Sequence, residues 1–192
     1  MPADYQQVKS MPDDPESCLN YMRQTGNSLS FVQLFPIARQ SAMKFGDEKA
    51  LIDGIHRTLA DNQALIEVGT GKKGGDYHYI YSIIKTKQEP SGVQYFMLLD
   101  VLYGEAVLRV KAFFDESRMT GQRDATVFEL MRREGTVSIS DSGVVTGWMR
   151  DPYVANLSKP YLMNLSEDRR FDTMFPDHPL SQCRALLQQL VQ

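Results

Sequence analysis

YHYIYSIIKTKQEPSGVQYFMLLDVLYGEAVLRVKAFF, Tyr77 to Phe114, is the stretch that decides the architecture of this 192-residue chain. Three runs inside it, 77–85, 93–102 and 106–114, are rich in aromatic and β-branched residues and alternate with period two, the pattern of β-strands. The connections between them, KQEPSG and Tyr103-Gly104, are short, and short connections make antiparallel neighbours. ALIEV (64–68) adds a fourth strand upstream.

A register follows if Tyr103-Gly104 is a two-residue turn, so that Leu102 faces Glu105, and if Lys85 faces Val93. Tyr79, Tyr81, Ile83, Tyr95, Met97, Leu99, Leu108, Val110 and Ala112 then share one side, which reads as the core and makes the tyrosine stripe a packing feature. The other side collects His78, Ile80, Ser82 and Ile84, then Gln94, Phe96, Leu98 and Asp100, then Val107, Arg109, Lys111 and Phe113. In this register His78 faces Asp100, with Arg109 diagonal to it. A side so mixed has two readings. One is a second helix layer with a salt-bridged edge. The other is a partner or ligand surface with apolar anchors and a polar cluster, carried by His78, Phe96, Asp100, Arg109, Lys111 and Phe113.

Outward from this meander, residues 1–13 read as a loose lead and 14–192 as one domain. Asp14-Pro15-Glu16 reads as a helix start, with Cys18, Leu19, Tyr21 and Met22 on its apolar side and Gly26 as its stop. SLSFVQLFP (28–36) reads as a strand ended by proline. Residues 47–61 read as a helix whose Leu51, Ile52, Ile55 and Leu59 fall on one face. Thr120 is the expected cap of a helix over 121–134, with Gly135 as its stop. SDSG (140–143) is a turn, TGWMRDPY an extended segment, and Ser166 the expected cap of a short helix, SEDRRFDTMF. A last helix begins at DHPL with Pro179 in its first turn and Leu180, Cys183, Leu187, Leu190 and Val191 on one side. The fold class is α+β: a mostly antiparallel sheet of four to six strands packed by helices.

The chemistry-bearing patterns are few. GTGKKGG (69–75) has the glycines and lysines of a phosphate loop. Aligned on G-x-x-x-x-G-K-[ST], however, it puts Ile66 at the first glycine and Lys73 at the hydroxyl. It also precedes a strand, whereas a phosphate loop opens a helix. It therefore reads as a hairpin loop. The histidines form no metal spacing, with His56 solvated or packed on its helix and His178 capping the last one. Cys18 and Cys183 have neither spacing nor a neighbouring histidine, and read as reduced structural thiols. There is no G-x-S-x-G elbow. Asp124, Glu129, Asp168 and Asp172 read as solvated charges or helix-dipole partners. Trp148 reads as packing. No catalytic residue, metal or cofactor is assigned. A net charge of −3 does not favour nucleic acid. Apolar runs stay short of the ~18 residues a membrane helix needs. With no signal-like N-terminus, the expected location is the cytoplasm.

The phrases GDEKALIDGIHRTLADNQALIEV, GQRDATVFELMRREG and MNLSEDRRFDTMFPDHPLSQCRALL together resemble a group of uncharacterised bacterial proteins, from about residue 17 onward. That resemblance brings no activity and no functional residues. The element order is also similar to the PsbP-like α+β fold, which implies a binding or accessory role. The expected function is thus a non-enzymatic cytoplasmic protein-binding module, adaptor or chaperone-like, that meets a protein partner or itself. The alternative is a small-molecule-binding protein or enzyme using polar groups of the mixed sheet side.

Overall fold

A computed structural model describes residues 1–72 and 77–192, and the period-two runs form strands in it. The strands of the main sheet are β1 (Gln6–Val8), β2 (Leu19–Thr25), β3 (Ser28–Ile37), β4 (Gln63–Lys72), β5 (Tyr77–Lys87), β6 (Val93–Tyr103) and β7 (Ala106–Glu116). Their order is β1-β2-β3-β7-β6-β5-β4, with every neighbouring pair antiparallel. The sheet therefore has seven strands where four to six were expected.

The additional strands come from the N-terminal region. The expected helix after Asp14 is instead β2. Leu19, Tyr21 and Met22 form too short an apolar run to tell helix from strand by spacing alone, and pairing with β3 decides it. Asp14 caps no helix: its carboxylate accepts from the Met11 amide and from the side chains of Asn20 and Gln33. Within the stretch read as a loose lead, Gln6–Val8 pairs with β2, and Tyr5 is buried with its hydroxyl accepting from Ser30.

Three helices complete the fold. α1 (Glu48–Thr58) is capped by the Asp47 carboxylate on the Ala50 amide at 3.0 Å. α2 (Gln122–Arg133) follows Gly121, which sits at φ +71° in the left-handed region that glycine tolerates. Gly121 takes the cap position expected for Thr120, whose hydroxyl donates to Ser91 instead. α3 (Pro179–Val191) starts as expected, with His178 Nδ1 accepting from the Leu180 amide at 3.2 Å. The helix expected from Ser166 breaks into two 3-10 turns, Leu165–Glu167 and Arg169–Phe171, capped by Asn164 and Asp168. Asp168 accepts from the Arg170 amide and starts the chain afresh there, while the Ser166 hydroxyl is spent on Asp124. SDSG turns between β8 (Ser138–Ile139) and β9 (Val145–Thr146); β10 (Met149–Arg150) pairs with β11 (Met163–Asn164). Trp148 packs edge-on to Phe128 at 5.1 Å.

One side of the sheet is the main core, as expected. Tyr95, Met97, Leu99, Val110, Ala112 and Phe114 pack there against Leu180, Cys183, Leu186 and Leu187 of α3, with Tyr77, Tyr79 and Tyr81 alongside. The expected register is shifted by two residues at both hairpins. Leu99 faces Val110 rather than Leu108, and Lys85 faces Tyr95 rather than Val93. A two-residue shift preserves which side each residue occupies, so the core assignment survives while the cross-strand partners change.

Gly69 and Gly71 of GTGKKGG lie in β4 rather than in a loop; residues 73–76 of the expected hairpin loop fall outside the described residues. The glycines serve packing. Gly69 faces Tyr81 and Gly71 faces Tyr79. A Cβ added at either would stand 2.6 Å and 2.4 Å from the respective ring. The rings lie over the bare backbone.

Candidate functional site

The opposite side of the sheet is organised in rows of cross-strand partners, and the six candidate residues fall into different rows. The first row runs Ile37, Val107, Leu102, His78, Lys72. The second runs Phe35, Arg109, Asp100, Ile80, Thr70. His78 therefore faces Leu102, not Asp100, and Arg109 faces Asp100 directly rather than diagonally. The two-residue register shift accounts for both corrections.

Asp100 and Arg109 form a two-point ion pair, Nε to Oδ1 at 2.7 Å and Nη2 to Oδ2 at 2.8 Å. Asp100 is fully buried, and the Met43 amide donates to its Oδ2 at 2.7 Å while Arg109 donates to the Ser41 carbonyl. The hydrogen bond from Asp100 raises the Arg109 pKa further above its ordinary value. The pair thus fastens residues 41–43 across the sheet. His78 instead lines a cleft of about 550 Å³ with Arg39, Phe45 and Lys72.

The remaining three candidates lie further along the face. A third row runs Asn20, Gln33, Lys111, Leu98, Ser82, and a fourth runs Met22, Phe31, Phe113, Phe96, Ile84, Leu65. A fifth runs Gln24, Leu29, Asp115, Gln94, Thr86. The fourth row is apolar throughout and crosses six strands. Its Leu65 and Ile84 end is packed by Ile55, Leu51, Ile52 and Leu59, the α1 side with its C-cap residue. Beyond that end no buried hydrophobic cluster of the described residues takes in Phe96, Phe113 or Phe31. Phe96 and Phe113 stand ring to ring at 4.9 Å, half-buried, and Met22 at the far end is 38% exposed. Polar side chains flank this stripe. Gln94 donates to Asp115 at 2.7 Å on one side, and Lys111 lies on the other with its ammonium 5.5 Å from the Phe35 ring.

The core side holds a second arrangement, which sequence reading missed. Lys85 and Glu167 are each 1% exposed and pair at 2.9 Å. Tyr95 donates to Glu167 Oε1 at 3.0 Å and the Asn164 amide to Oε2 at 2.8 Å. The Lys85 ammonium also lies 4.4 Å from the centre of the Tyr161 ring. Arg123 is equally buried and donates to the Ser166 carbonyl, Ser181 and Asp172. Arg184 reaches Glu67 at 3.0 Å, Asp172 at 3.1 Å and the Glu167 carbonyl at 2.9 Å.

Burial, reinforced by the Glu167 charge, raises the Asp124 carboxyl above its ordinary pKa. Burial pushes Glu67 the same way, but hydrogen bonds from Arg169 and Tyr81 and the Arg184 charge outweigh it, leaving Glu67 lowered. Asp124 and Asp172, read from sequence as solvated charges or dipole partners, are thus members of a hydrogen-bonded network. Its charges are mutually satisfied, which suits a role in fastening residues 161–172 and α3 to the sheet. Lys85 was legible as core-facing; its partner, 82 positions away, gave no local signal.

His56 is packed through Nε2 against Asp151 at 2.8 Å, and both cysteines are buried free thiols. Among the described residues no cluster of three or more His, Cys, Asp or Glu side chains could hold a metal, and no helix is long and apolar enough to cross a membrane.

No family model and no curated protein matches the chain. Among solved structures, it is similar to PA94 from Pseudomonas aeruginosa, a protein of unknown function described as a candidate regulator. The two share 12% identity at a TM-score of 0.40, over 68% of this chain and 92% of that one. A likeness at that level carries no functional argument.

Proposed function

We propose that the chain is a non-enzymatic protein-binding module of adaptor or chaperone type, acting in the cytoplasm through the uncovered part of its outer sheet face. The observation that carries this reading is the apolar row Met22, Phe31, Phe113, Phe96. It runs across four adjacent strands and emerges from beneath α1. Protein interfaces place aromatic residues and methionine at an uncharged centre and polar groups at the rim. Here the centre row has no charged residue; Lys111 stands in the row on one side, where Asn20 is buried and held with Gln33 by Asp14, and Gln24, Gln94 and Asp115 stand on the other. Lys111, Phe96 and Phe113 of the sequence-derived candidates belong to this surface; Asp100 and Arg109 shape its neighbour by holding residues 41–43 in place.

The test is affinity isolation of the tagged chain from its own cells, with and without Phe96→Ser and Phe113→Ser together. Buried aromatic anchors in interfaces carry about 2 kcal/mol or more each. The double variant, confirmed folded by circular dichroism, therefore loses a partner that the wild type retains in fixed stoichiometry. Retention of the same partner by the folded double variant refutes the assignment.

A further inference from the structure

The cleft at the end of the first row gathers three basic side chains, Arg39, Lys72 and His78. Arg39, Phe45, Gly46, Lys72, His78 and Leu102 line it; among the described residues no acidic side chain lines it, and the carboxylates bonded to its lining are those of Glu105, on Arg39, and Glu48, on the amide of Thr70. The chain carries a net charge of −3, so three basic side chains facing one space are a local departure from its balance. Lys72 and His78 are direct cross-strand partners. Two basic groups opposite each other on a ladder repel when both are charged, and an anion set between them turns that repulsion into attraction. Arg39 pairs with Glu105 at 2.8 Å, but the Glu105 side chain is 92% exposed. Such a solvated pair is weak, so the guanidinium remains able to turn to a better anion.

We propose that this cleft binds a phosphorylated small molecule, with Arg39, Lys72 and His78 around the phosphate and Phe45 and Leu102 against the organic part. Phosphate matches the donors: a guanidinium can meet two of its oxygens at once, while an ammonium answers it as a point charge. The volume, about 550 Å³, lies in the range of small-molecule sites and exceeds what a lone inorganic anion fills. The site is unrelated to a phosphate-loop motif. Gly69 and Gly71 are occupied by tyrosine rings, and the basic residues come together only because β4, β5 and the 3-10 turn Arg39–Ser41 meet at one corner. It is separate from the proposed protein-binding row, so either reading can fail without the other.

The test is a titration of the full chain, labelled in its histidine and phenylalanine rings, with orthophosphate, pyrophosphate and adenosine monophosphate, followed by NMR. His56 and His178 are internal controls, since they are engaged with Asp151 and the Leu180 amide. The expected result is a saturable shift of His78 alone, tighter for pyrophosphate than for orthophosphate. Adenosine monophosphate is expected to shift the Phe45 ring as well. Arg39→Gln with Lys72→Gln, both at exposed positions, weakens binding roughly tenfold or more, as loss of charge-assisted hydrogen bonds requires. Arg132→Gln, a surface change on α2, leaves it unaltered. Equal, unsaturating shifts of all three histidines, or unchanged binding in the double variant, overturn the proposal.

Discussion

Glu167→Ala removes the acceptor at the centre of the buried network. The Lys85 ammonium, 1% exposed, loses its hydrogen-bond partner and keeps only the Tyr161 ring and the longer-range field of Asp124, and the Tyr95 hydroxyl and the Asn164 amide lose their acceptor. Deleting one partner of a buried pair costs about 3–5 kcal/mol, because an uncompensated charge stays behind. For a chain of this size each kcal/mol lowers Tm by about 2–4 °C, so the drop is roughly 6–20 °C. Replacing both partners, Lys85→Met with Glu167→Leu, removes the stranded charge and costs far less than the sum of the two single changes, since apolar residues of similar volume replace such pairs at little cost. The assay is urea unfolding followed by circular dichroism for wild type, Lys85→Met, Glu167→Leu and the double variant, with Glu167→Ala alongside. The coupling energy comes directly from the four-member cycle. Single changes costing under about 1 kcal/mol, or strictly additive ones, refute the view that this pair is a tight, desolvated fastening.

Three further outcomes are expected. Gly69→Ala destabilises by about 1–3 kcal/mol through overpacking, because the Tyr81 ring it strikes is held by a 2.6 Å hydrogen bond to Glu67. Gly71→Ala costs less if the Tyr79 ring swings aside, and equal losses in thermal melts contradict that distinction. Glu67 has a folded pKa below its ordinary value of 4.5, so its contribution is present above that value and lost as pH falls through the lowered one. Glu67→Gln is therefore destabilising at neutral pH, and the difference in Tm shrinks in acid; a pH-independent difference contradicts this. Leu180→Ala, at a fully buried position of α3, costs about 2–5 kcal/mol, and an unchanged unfolding midpoint refutes the docking of that helix.

The meander was legible because period-two alternation and short connections are local signals, and the side of the sheet on which each residue lies survived a register error of two. Partners across the ladder did not survive it. The turns set them: the connection between β5 and β6 fixes the partner of His78, which was joined to Asp100 in the sequence and stands with Lys72 and Arg39 in the fold, and the turn after Tyr103 fixes that of Arg109. β2 was misread because Asp14-Pro15-Glu16 imitates a helix start, while its true pairing with β3 and β1 is tertiary. The glycines of GTGKKGG could be excluded as a phosphate loop from their neighbours, yet their actual use, making room for Tyr79 and Tyr81, depends on the strand opposite. The buried charges are the least legible of all, since Lys85 with Glu167, and Arg184 with Glu67, are joined only by the fold.

The uncovered apolar row is tested most directly by placing a photo-reactive phenylalanine analogue at Phe96 in the living cell. A second strain carries it at Tyr103, which is 72% exposed and stands opposite Tyr77 on the other side of the sheet. The account predicts a discrete protein adduct from position 96 that is missing from position 103. No adduct at 96, or the same adduct from both positions, contradicts it.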